Sequence, residues 1–482
     1  MNLAQIFQGG DATGSLPYDQ VQEMQKALTA GYGSDVAALS GGGALRIQSL
    51  EMTMLATIQE NSHFALFNAL QKGRATATVD EWTEQRSVGG FFGGSTNSEL
   101  GQVSAAQGDY QRRVGLVKYL MTRREVSFVQ SLQNAIVDAE TVEYQSGALQ
   151  LLTDAEFLCF EGNSDVVPTE FDGIEFQIRQ FARPQNVIDM AGQPLQNITP
   201  IANGTGLIHS NGSFGRATDL FLSVDTQTDI DTYLDPAFRV SLTNNFTDLQ
   251  IGSPVSAMKT SFGKIANNPD VFIRDERYKM PFELIDEGSF AAVAAANDVF
   301  KPASIAASAP ATTAGSKFVT AQAGNFYYAV AGITSKGQST IRVSAQVAIA
   351  AGQGVVLTIA PSPGGTETGY VLYRGRRNGT NAPSDLREMV RIPRAPSGNT
   401  TYTDINEEIP GTTKAYLLNM TTGAKAITWQ QFLPMMKFPF YPNGTVTIPW
   451  AQLLFGYLRL GKARHHVLYK NIVPTNAVWK PF

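Results

Sequence analysis

The sequence is poor in cysteine and in long apolar runs. Cys159 is the one cysteine among 482 residues, so the chain cannot form an internal disulfide, and nothing points to an oxidising compartment. No apolar run reaches the ~18 residues that a membrane span needs. The N-terminal residues carry an acid early and no basic region, unlike a secretory signal. These features favour a protein made in the cytoplasm that does not insert into a membrane.

Charge is also scarce. Charged residues make up 16 % of the chain, whereas about a quarter is usual in globular proteins. The formal net charge is −5, which argues against gripping nucleic acid by charge alone, because phosphate binding needs clustered Lys and Arg. A surface with so little charge suggests that partners cover much of it.

Recognised catalytic and ligand-binding motifs are missing as well. The sequence contains no P-loop, no GxGxxG at a helix start, no HExxH and no CxxC. His465 and His466 lie in a predicted strand, where adjacent side chains point to opposite faces and cannot chelate one metal together. We therefore predict no catalytic, cofactor-binding or metal-binding residues, and we expect that the protein is not an enzyme.

Two further groups have structural explanations. Cys159 has no basic neighbour in sequence that would lower its thiol pKa, so we predict a buried, inert side chain. Asp225, Asp229 and Asp231 invite a cation hypothesis, but they also suit the start of a helix capped by Ser223 or Asp225. We prefer the helix-start explanation.

The N-terminal quarter alternates between flexible and ordered patterns. Residues 1–45 are Gly-rich around one short helical segment, which predicts an extended arm that is ordered only against another surface. Residues 46–72 carry an apolar stripe at helical spacing. Residues 73–117 alternate on both sides of a Gly-rich tip, which predicts a long two-stranded excursion. Phe91 and Phe92 at this tip would be exposed, which is natural for a contact between molecules.

A long helix is predicted after this excursion. The strand VGLVKYLMTRREVSF precedes a helix at 138–161, whose apolar residues recur at steps of four and three and which Gly162 ends. The next segment, IEFQIRQF at 174–181, is interpreted as a strand. The remainder to about residue 285 has a mixed helix, loop and strand pattern.

The clearest boundary is a segment without charge. Residues between Lys301 and Lys317 are nearly all Ala, Ser, Thr and Pro, which predicts a linker at 301–316. Over 317–415 the apolar period changes to two, and SKG, GGT and RNG turns separate short strands, which predicts a small β-sandwich. Residues 416–482 return to strands rich in Trp, Phe and Pro, and would rejoin the domain before the linker.

The order of these features resembles the tailed-bacteriophage major capsid proteins, which have the Hong Kong 97-type fold. VGLVKYLMTRREVSFVQSL leading into AETVEYQSGALQLLTDAEFLCFEGNSD carries the resemblance, together with FDGI at 171–174 and the closing ARHHVLYKNIVP. It covers nearly the whole chain outside the sandwich. The resemblance implies an α+β fold with these parts: an N-arm at 1–45, a helix of the capsid body at 46–72, an E-loop at 73–117, a peripheral domain with a spine helix and an axial domain within 118–300, the linker at 301–316, an inserted immunoglobulin- or fibronectin-like sandwich at 317–415, and a return to the body at 416–482.

The resemblance also implies a function and partners. The chain would form pentamers and hexamers of an icosahedral shell around double-stranded DNA, in the virion, after assembly in the host cytoplasm. The family implies a portal protein and a decoration or cement protein as partners. Because residues 1–45 leave little room for an internal scaffold, a separate scaffolding protein is expected. Lysine is absent between Lys72 and Lys118, so we expect no isopeptide cross-link from the E-loop.

The candidate inter-subunit contacts are the two aromatic residues at the tip and two basic pairs near the excursion, for which ion pairing is favoured over phosphate binding. These residues are Phe91, Phe92, Arg112, Arg113, Arg123 and Arg124.

Two alternative functions remain open. One is an encapsulin-like nanocompartment shell that loads cargo enzymes. The other is a tail or adhesion protein whose sandwich binds carbohydrate through an exposed strand with Tyr373 and Arg374.

Overall fold

The structure, a computed structural model, describes part of the chain in detail. The described residues are 63–132, 139–233, 255–274, 278–279, 283–284, 295–442 and 444–482. The predicted arm at 1–45, residues 46–62 of the predicted body helix and the position before the long helix, Asp138, lie outside these ranges. Within them, α-helices and β-strands are both abundant, so the fold is α+β, as predicted.

Six α-helices fall within the described ranges. They are α1 (Ala65–Ala69), α2 (Phe128–Leu132), α3 (Ala139–Glu161), α4 (Ile174–Phe181), α5 (Ile198–His209) and α6 (Val224–Tyr233). The predicted long helix is confirmed as α3, which ends directly before Gly162. The predicted strand at 174–181 is wrong, because this segment is α4. Its buried residues Ile174, Gln177 and Ile178 recur at helical spacing. The apolar residues Ile174, Phe176 and Ile178 also alternate with polar ones, which is the pattern of a strand.

The described strands are numbered in chain order. They are β1 (Gln71–Arg74), β2 (Val79–Ser87), β3 (Asp109–Leu116), β4 (Lys118–Ser127), β5 (Val187–Asp189), β6 (Asp219–Leu222), β7 (Ala257–Thr260), β8 (Gly263–Pro269), β9 (Tyr278–Lys279), β10 (Glu283–Leu284), β11 (Ser304–Ala307), β12 (Ala311–Thr312), β13 (Gly324–Phe326), β14 (Tyr328–Thr334), β15 (Gly337–Gln338), β16 (Arg342–Val343), β17 (Val347–Ile349), β18 (Gln353–Ala360), β19 (Gly369–Gly375), β20 (Leu386–Pro393), β21 (Thr400–Asp404), β22 (Thr413–Leu418), β23 (Ile427–Pro439), β24 (Thr447–Leu460) and β25 (Val467–Ile472).

A four-stranded sheet, which we call the first body sheet, has the strand order β1-β23-β24-β4. β1 runs parallel to β23, and the other pairs are antiparallel. Helix α3 lies across this sheet, where Gln452 of β24 donates a hydrogen bond to the Tyr144 carbonyl at 2.6 Å. Leu151 and Phe160 of α3 belong to the same apolar cluster as Trp429 of the sheet, so burial of these side chains holds helix and sheet together.

A six-stranded sheet, which we call the second body sheet, has the order β5-β25-β22-β6-β8-β7. Its strand β25 is buried along its whole length. Helix α5 packs on this sheet through Ile201 and Ile208. The predicted closing strand is therefore present, but it begins after the histidine pair. His465 ends a short 3-10 turn and His466 follows it, so the predicted placement of both in a strand is wrong.

The excursion between β1 and β4 is an antiparallel hairpin of β2 and β3, which confirms the two-stranded prediction. Cα pairing runs from Val79 opposite Leu116 to Ser87 opposite Asp109. The excursion begins later than predicted, because residues 73 and 74 pair with β23 in the first body sheet.

The sandwich contains more of the chain than predicted. Residues 301–316 are not a linker: β11 and β12 both pair with β18 of the sandwich. Small side chains misled the prediction because strand pairing uses main-chain groups and strand propensity depends on context. Two sheets, β10-β9-β20-β19-β14-β15 and β11-β18-β12, share one apolar core, and β21 also pairs with β18. The chain has left the sandwich by β22, which belongs to the second body sheet.

Candidate assembly surfaces

The tip of the β2–β3 hairpin exposes apolar side chains. Phe91 is 80 % exposed and Phe92 is 87 % exposed, and Leu100 and Val103 beside them are also exposed. Positive φ angles at Gly89, Gly90 and Gly93 let the chain turn sharply here. The tip is thus an apolar surface that is left uncovered by the described part of the chain.

The hairpin also has two unlike faces, because side chains alternate along each strand. One face packs on the body, where Trp82 stacks on Tyr457 with ring centroids 6.5 Å apart and Tyr457 donates a hydrogen bond to Asp80. The opposite face leaves Val114 and Leu116 about half exposed. The hairpin base is therefore anchored to its own chain while an apolar outer face remains available for contact.

The predicted Arg112–Arg113 pair is divided by this alternation. Arg112 lies on the outer face, where it is exposed and forms an ion pair with Glu81. Arg113 is only 4 % exposed, donates to Glu84 at 2.5 Å and lies 4.1 Å from the Phe181 ring centroid. Burial lowers the pKa of Arg113, against the opposing effect of Glu84. Arg113 therefore fastens the hairpin to the body of its own chain.

The second basic pair is divided in the same way. Arg123 on β4 is exposed and pairs with Glu125 at 3.0 Å. Arg124 points to the other face of β4, toward α3, and donates to Glu143 at 3.2 Å and to Gln150 at 2.6 Å. Of the four predicted arginines, Arg112 and Arg123 are exposed on the surface, and the other two connect elements within the chain.

A second apolar tip connects β23 and β24 and was not assigned from the sequence. Phe438 and Phe440 meet edge to face with centroids 5.6 Å apart, and both remain more than two-fifths exposed. Tyr441 beside them is 95 % exposed. The sequence FPFYPNG, which lies between two runs of alternating residues, could have predicted this tip. Pro-Asn-Gly is typical of a turn, and the aromatic residues before it would be exposed at a hairpin end.

A buried pair of carboxyl groups, Glu156 of α3 and Asp270, lies beside helix α1. Both Glu156 oxygens accept backbone N–H groups of α1, from Leu66 and Phe67, at 2.7 Å each. Burial first, and then the neighbouring Asp270, raise the pKa of Glu156 to about 9. Burial also raises the pKa of Asp270, which is hydrogen-bonded to Glu156. Two facing carboxyl groups with these properties share a proton at neutral pH.

A charged cluster joins α3, α4, the sandwich and the second body sheet around a pocket of about 160 Å³. Its members are Glu161, Glu175, Arg179, Arg274, Glu388, Arg391, Glu408 and Lys414. Arg274 pairs with Glu161 of α3 and with Glu388 of the sandwich strand β20. Although burial opposes it, Arg274 and Arg391 lower the pKa of Glu388 to about 2. Since opposite charges are matched within it, the cluster attaches the sandwich to the body.

The residues considered for metal binding do not converge. Among the described residues, no group of three or more His, Cys, Asp or Glu side chains is placed to hold a metal ion. His465 Nε2 lies 2.8 Å from the Ser213 carbonyl, whereas His466 is buried elsewhere and burial lowers its pKa to about 3. Asp229 accepts from the Thr475 amide at 2.8 Å and Asp231 from the Val255 amide at 2.7 Å, so each satisfies a backbone group.

The predictions for Ser223 and Cys159 are both confirmed. Ser223 Oγ accepts the Thr226 amide at 3.3 Å at the start of α6, which makes it the predicted cap. Cys159, a residue of α3, is fully buried in the apolar core, and burial raises its thiol pKa well above the ordinary value. Its side chain is therefore protonated and inaccessible at neutral pH.

The strand predicted to expose Tyr373 and Arg374 is buried. β19 lies in the middle of its sheet, and both side chains are 0 % exposed. Arg374 donates to Asp404 at 2.6 Å and to Asn406 at 2.7 Å, and Tyr328 also donates to Asp404, at 2.7 Å. The prediction of an exposed glycan-binding strand is wrong, because strands pair on both sides of β19 and core packs on both faces.

No helix within the described ranges has the length and apolarity needed to cross a membrane. No family model matches the sequence. The chain is 22 % identical over 462 residues to a protein of Enterococcus phage phiEF24C described as "Putative major capsid protein", and the match covers 94 % of this chain and 95 % of that protein.

Similar solved structures share little sequence with the chain. A capsid chain of a native GTA particle is 8 % identical, with a TM-score of 0.44 and coverage of 91 % of this chain and 99 % of that one. A chain of the holo-SrpI encapsulin complex from Synechococcus elongatus PCC 7942 is 9 % identical, with a TM-score of 0.43 and coverage of 94 % and 100 %. A chain from Gordonia phage Cozz is 10 % identical, with a TM-score of 0.42 and coverage of 92 % and 96 %.

Proposed function

We propose that the chain is the major capsid protein of a tailed bacteriophage, a subunit that assembles into the shell of the virion. The similarity to the Enterococcus phage protein carries this proposal, because it extends over 462 residues and 95 % of that protein. A match of this length includes the sandwich as well as the body. It therefore concerns the whole architecture rather than one common domain.

The exposed surfaces support an assembling protein. The tips of the β2–β3 and β23–β24 hairpins and the outer face of β3 all leave large apolar side chains in solvent. A soluble monomer rarely keeps several such patches, whereas neighbouring copies in a shell would bury them. The absence of a converging catalytic group in the described residues is in keeping with a structural role.

We assign the parts of the Hong Kong 97-type fold accordingly. α3 is the spine helix, the β2–β3 hairpin is the E-loop, and α3 with the first body sheet forms the peripheral domain. The second body sheet with α5 and α6 forms the axial domain. The sandwich is an inserted immunoglobulin-like domain. Neighbouring subunits meet through Phe91 and Phe92 and through the exposed Arg112 and Arg123.

The assembled state follows from this assignment. Pentamers and hexamers of the chain form an icosahedral shell in the host cytoplasm, with a separate scaffolding protein and a portal protein. The shell encloses double-stranded DNA without sequence specificity, and a decoration or cement protein is a further partner. We assign the chain no enzymatic activity.

Electron microscopy and light scattering of the purified chain, alone and with its scaffolding protein, test the proposal. We expect closed shells, or rings of five or six subunits. The double variant Phe91→Ser/Phe92→Ser should lose assembly and keep its unfolding midpoint, whereas Val319→Ser, which removes an exposed apolar group on the sandwich, should assemble normally. A monomer of 52.1 kDa under every condition would contradict the proposal. Shells from cells that contain a cargo enzyme instead of DNA would favour the nanocompartment.

A further inference from the structure

A pocket of about 380 Å³ lies between the tip-side half of strand β2 and two connecting segments of the body. Its walls come from residues within 83–86 on the hairpin, 212–214 after α5, and 461–465 between β24 and β25. These segments are far apart in sequence, so the pocket exists only in the folded chain. Whatever occupies it touches the hairpin and the body at once.

Positive charge is concentrated around this pocket. Arg86, Lys462 and Arg464 line it. Burial, and then the nearby charges of Arg183 and Arg86, lower the pKa of Arg464. Arg464 is held in place by its backbone contacts, since its Nη1 donates to the Arg86 carbonyl at 3.2 Å and to the Gly212 carbonyl at 3.1 Å. The guanidinium groups are thus close enough to repel one another.

The chain supplies too little negative charge to balance them. Glu84 faces the pocket but is already bound to Arg113, which lies behind it. Asp109 is the other carboxylate whose charge acts on Arg464. In the part of the chain that the structure describes, Arg86, Arg183 and Arg464 form no ion pair. Cations gathered this closely without partners favour an anion from outside the chain.

Unpaired buried donors give independent support. Ser213 lines the pocket, is only 8 % exposed, and its Oγ has no hydrogen-bond partner within the described ranges. Arg86, which also lines the pocket, has a buried Nε without a hydrogen-bond partner in the described part of the chain. Native proteins leave few buried polar groups without a partner, and an unfilled ligand position is one explanation for such groups.

We propose that this pocket binds a tetrahedral oxyanion, inorganic phosphate or sulfate, and that the bound ion ties strand β2 of the β2–β3 hairpin to the body. Guanidinium groups bind such anions through paired N–H donors, and here they come from both sides, with Arg86 on the hairpin and Arg464 on the body. The Ser213 hydroxyl supplies a further donor. Because walls of the same chain surround the pocket on the hairpin and body sides, a free ion suits it better than a carboxylate side chain of a second copy. This inference does not depend on the proposed function.

Calorimetric titration of the full-length, unassembled chain with inorganic phosphate at constant ionic strength tests the proposal. Phosphate should bind, chloride should not, and acetate, which represents a planar carboxylate, should bind more weakly. Arg86→Gln and Lys462→Gln should each weaken phosphate binding, by about tenfold for Arg86→Gln. Neither side chain forms an ion pair among the described residues, so both variants should fold. Arg112→Gln, on the outer face of the same hairpin, is the matched control and should bind as wild type.

Hydrogen exchange provides a readout of the link to the body. Phosphate should slow exchange in 79–87 and 109–116 of the wild type and of Arg112→Gln, but not of Arg86→Gln. The proposal is overturned if phosphate and chloride are indistinguishable, or if Arg86→Gln binds phosphate as tightly as wild type. Acetate binding as strongly as phosphate would also overturn it, in favour of a carboxylate from a second copy.

Discussion

Replacing Asp270 by Asn should reduce the pH dependence that the buried carboxyl pair imposes on stability. Glu156 accepts two backbone N–H groups of α1, and burial together with Asp270 raises its pKa to about 9. In the unfolded chain the same carboxyl has its ordinary pKa, near 4.5. Folding at neutral pH therefore takes up a proton.

The sign of the effect follows from this raised pKa. The contribution of Glu156 to the free energy of unfolding is complete below its unfolded pKa and is lost as the pH rises through its folded pKa. One proton corresponds to about 1.4 kcal/mol per pH unit at most. Because the pair shares its proton and the site can relax, we expect a loss of about 1–2 kcal/mol between about pH 6 and pH 8.

Asn at position 270 should reduce this loss of stability at higher pH. Its Oδ1 can still accept the Phe272 amide, which lies 2.8 Å from Asp270 Oδ1 in the wild type. Its Nδ2 would donate to Glu156 and so satisfy an ionised carboxylate without a shared proton. The variant should therefore be more stable than wild type at about pH 8, by about 1–2 kcal/mol, with a flatter dependence on pH.

Urea unfolding of the unassembled chain over this pH range measures the slopes, and hydrogen exchange of the Leu66 and Phe67 amides reports on the site itself. Asp165→Asn, which changes an exposed aspartate near the end of α3, is the control and should keep the wild-type slope. Equal slopes for Asp270→Asn and Asp165→Asn would refute the reasoning, as would an Asp270→Asn variant that loses stability faster than wild type as pH rises.

Three other outcomes are expected from buried contacts. Arg274→Gln should weaken attachment of the sandwich by about 3 kcal/mol, because two buried carboxylates lose the cation between them, and calorimetry should then show a separate sandwich transition. An unchanged single transition would contradict this. Arg374→Leu should cost about 3–5 kcal/mol in urea unfolding, since Asp404 would be left as a buried unpaired charge, and a loss below about 1 kcal/mol would argue against it. Cys159 should resist iodoacetamide at neutral pH until the chain is denatured, as mass spectrometry would show, so rapid labelling of the native chain would exclude a buried, protonated thiol.

Patterns within one element could be predicted from the sequence. α3 has a long apolar stripe and a glycine directly after it, and the β2–β3 hairpin has alternation on both sides of a Gly-rich tip. Both predictions are confirmed for this reason. The same alternation could have separated Arg112 from Arg113, because neighbours in a strand face opposite sides.

Contacts between distant segments could not be predicted in this way. Glu156 binds amides 89 and 90 residues earlier, and Lys414 binds Glu175 across 239 residues. No local pattern encodes such pairs, since tertiary packing alone brings them together. The prediction for 301–316 failed for a related reason: its small side chains resemble a linker, and only pairing with β18 makes β11 and β12 strands.

Strand β24 sets a fixed distance between two of the exposed regions. Its first residue, Thr447, adjoins the β23–β24 tip, and Tyr457 farther along anchors the base of the β2–β3 hairpin. Ten residues of extended strand span about 34 Å. Since β23 and β4 pair with β24 on either side, this spacing cannot stretch without breaking a sheet. In any assembly that uses both regions, the strand therefore keeps the separation of the two contact regions constant.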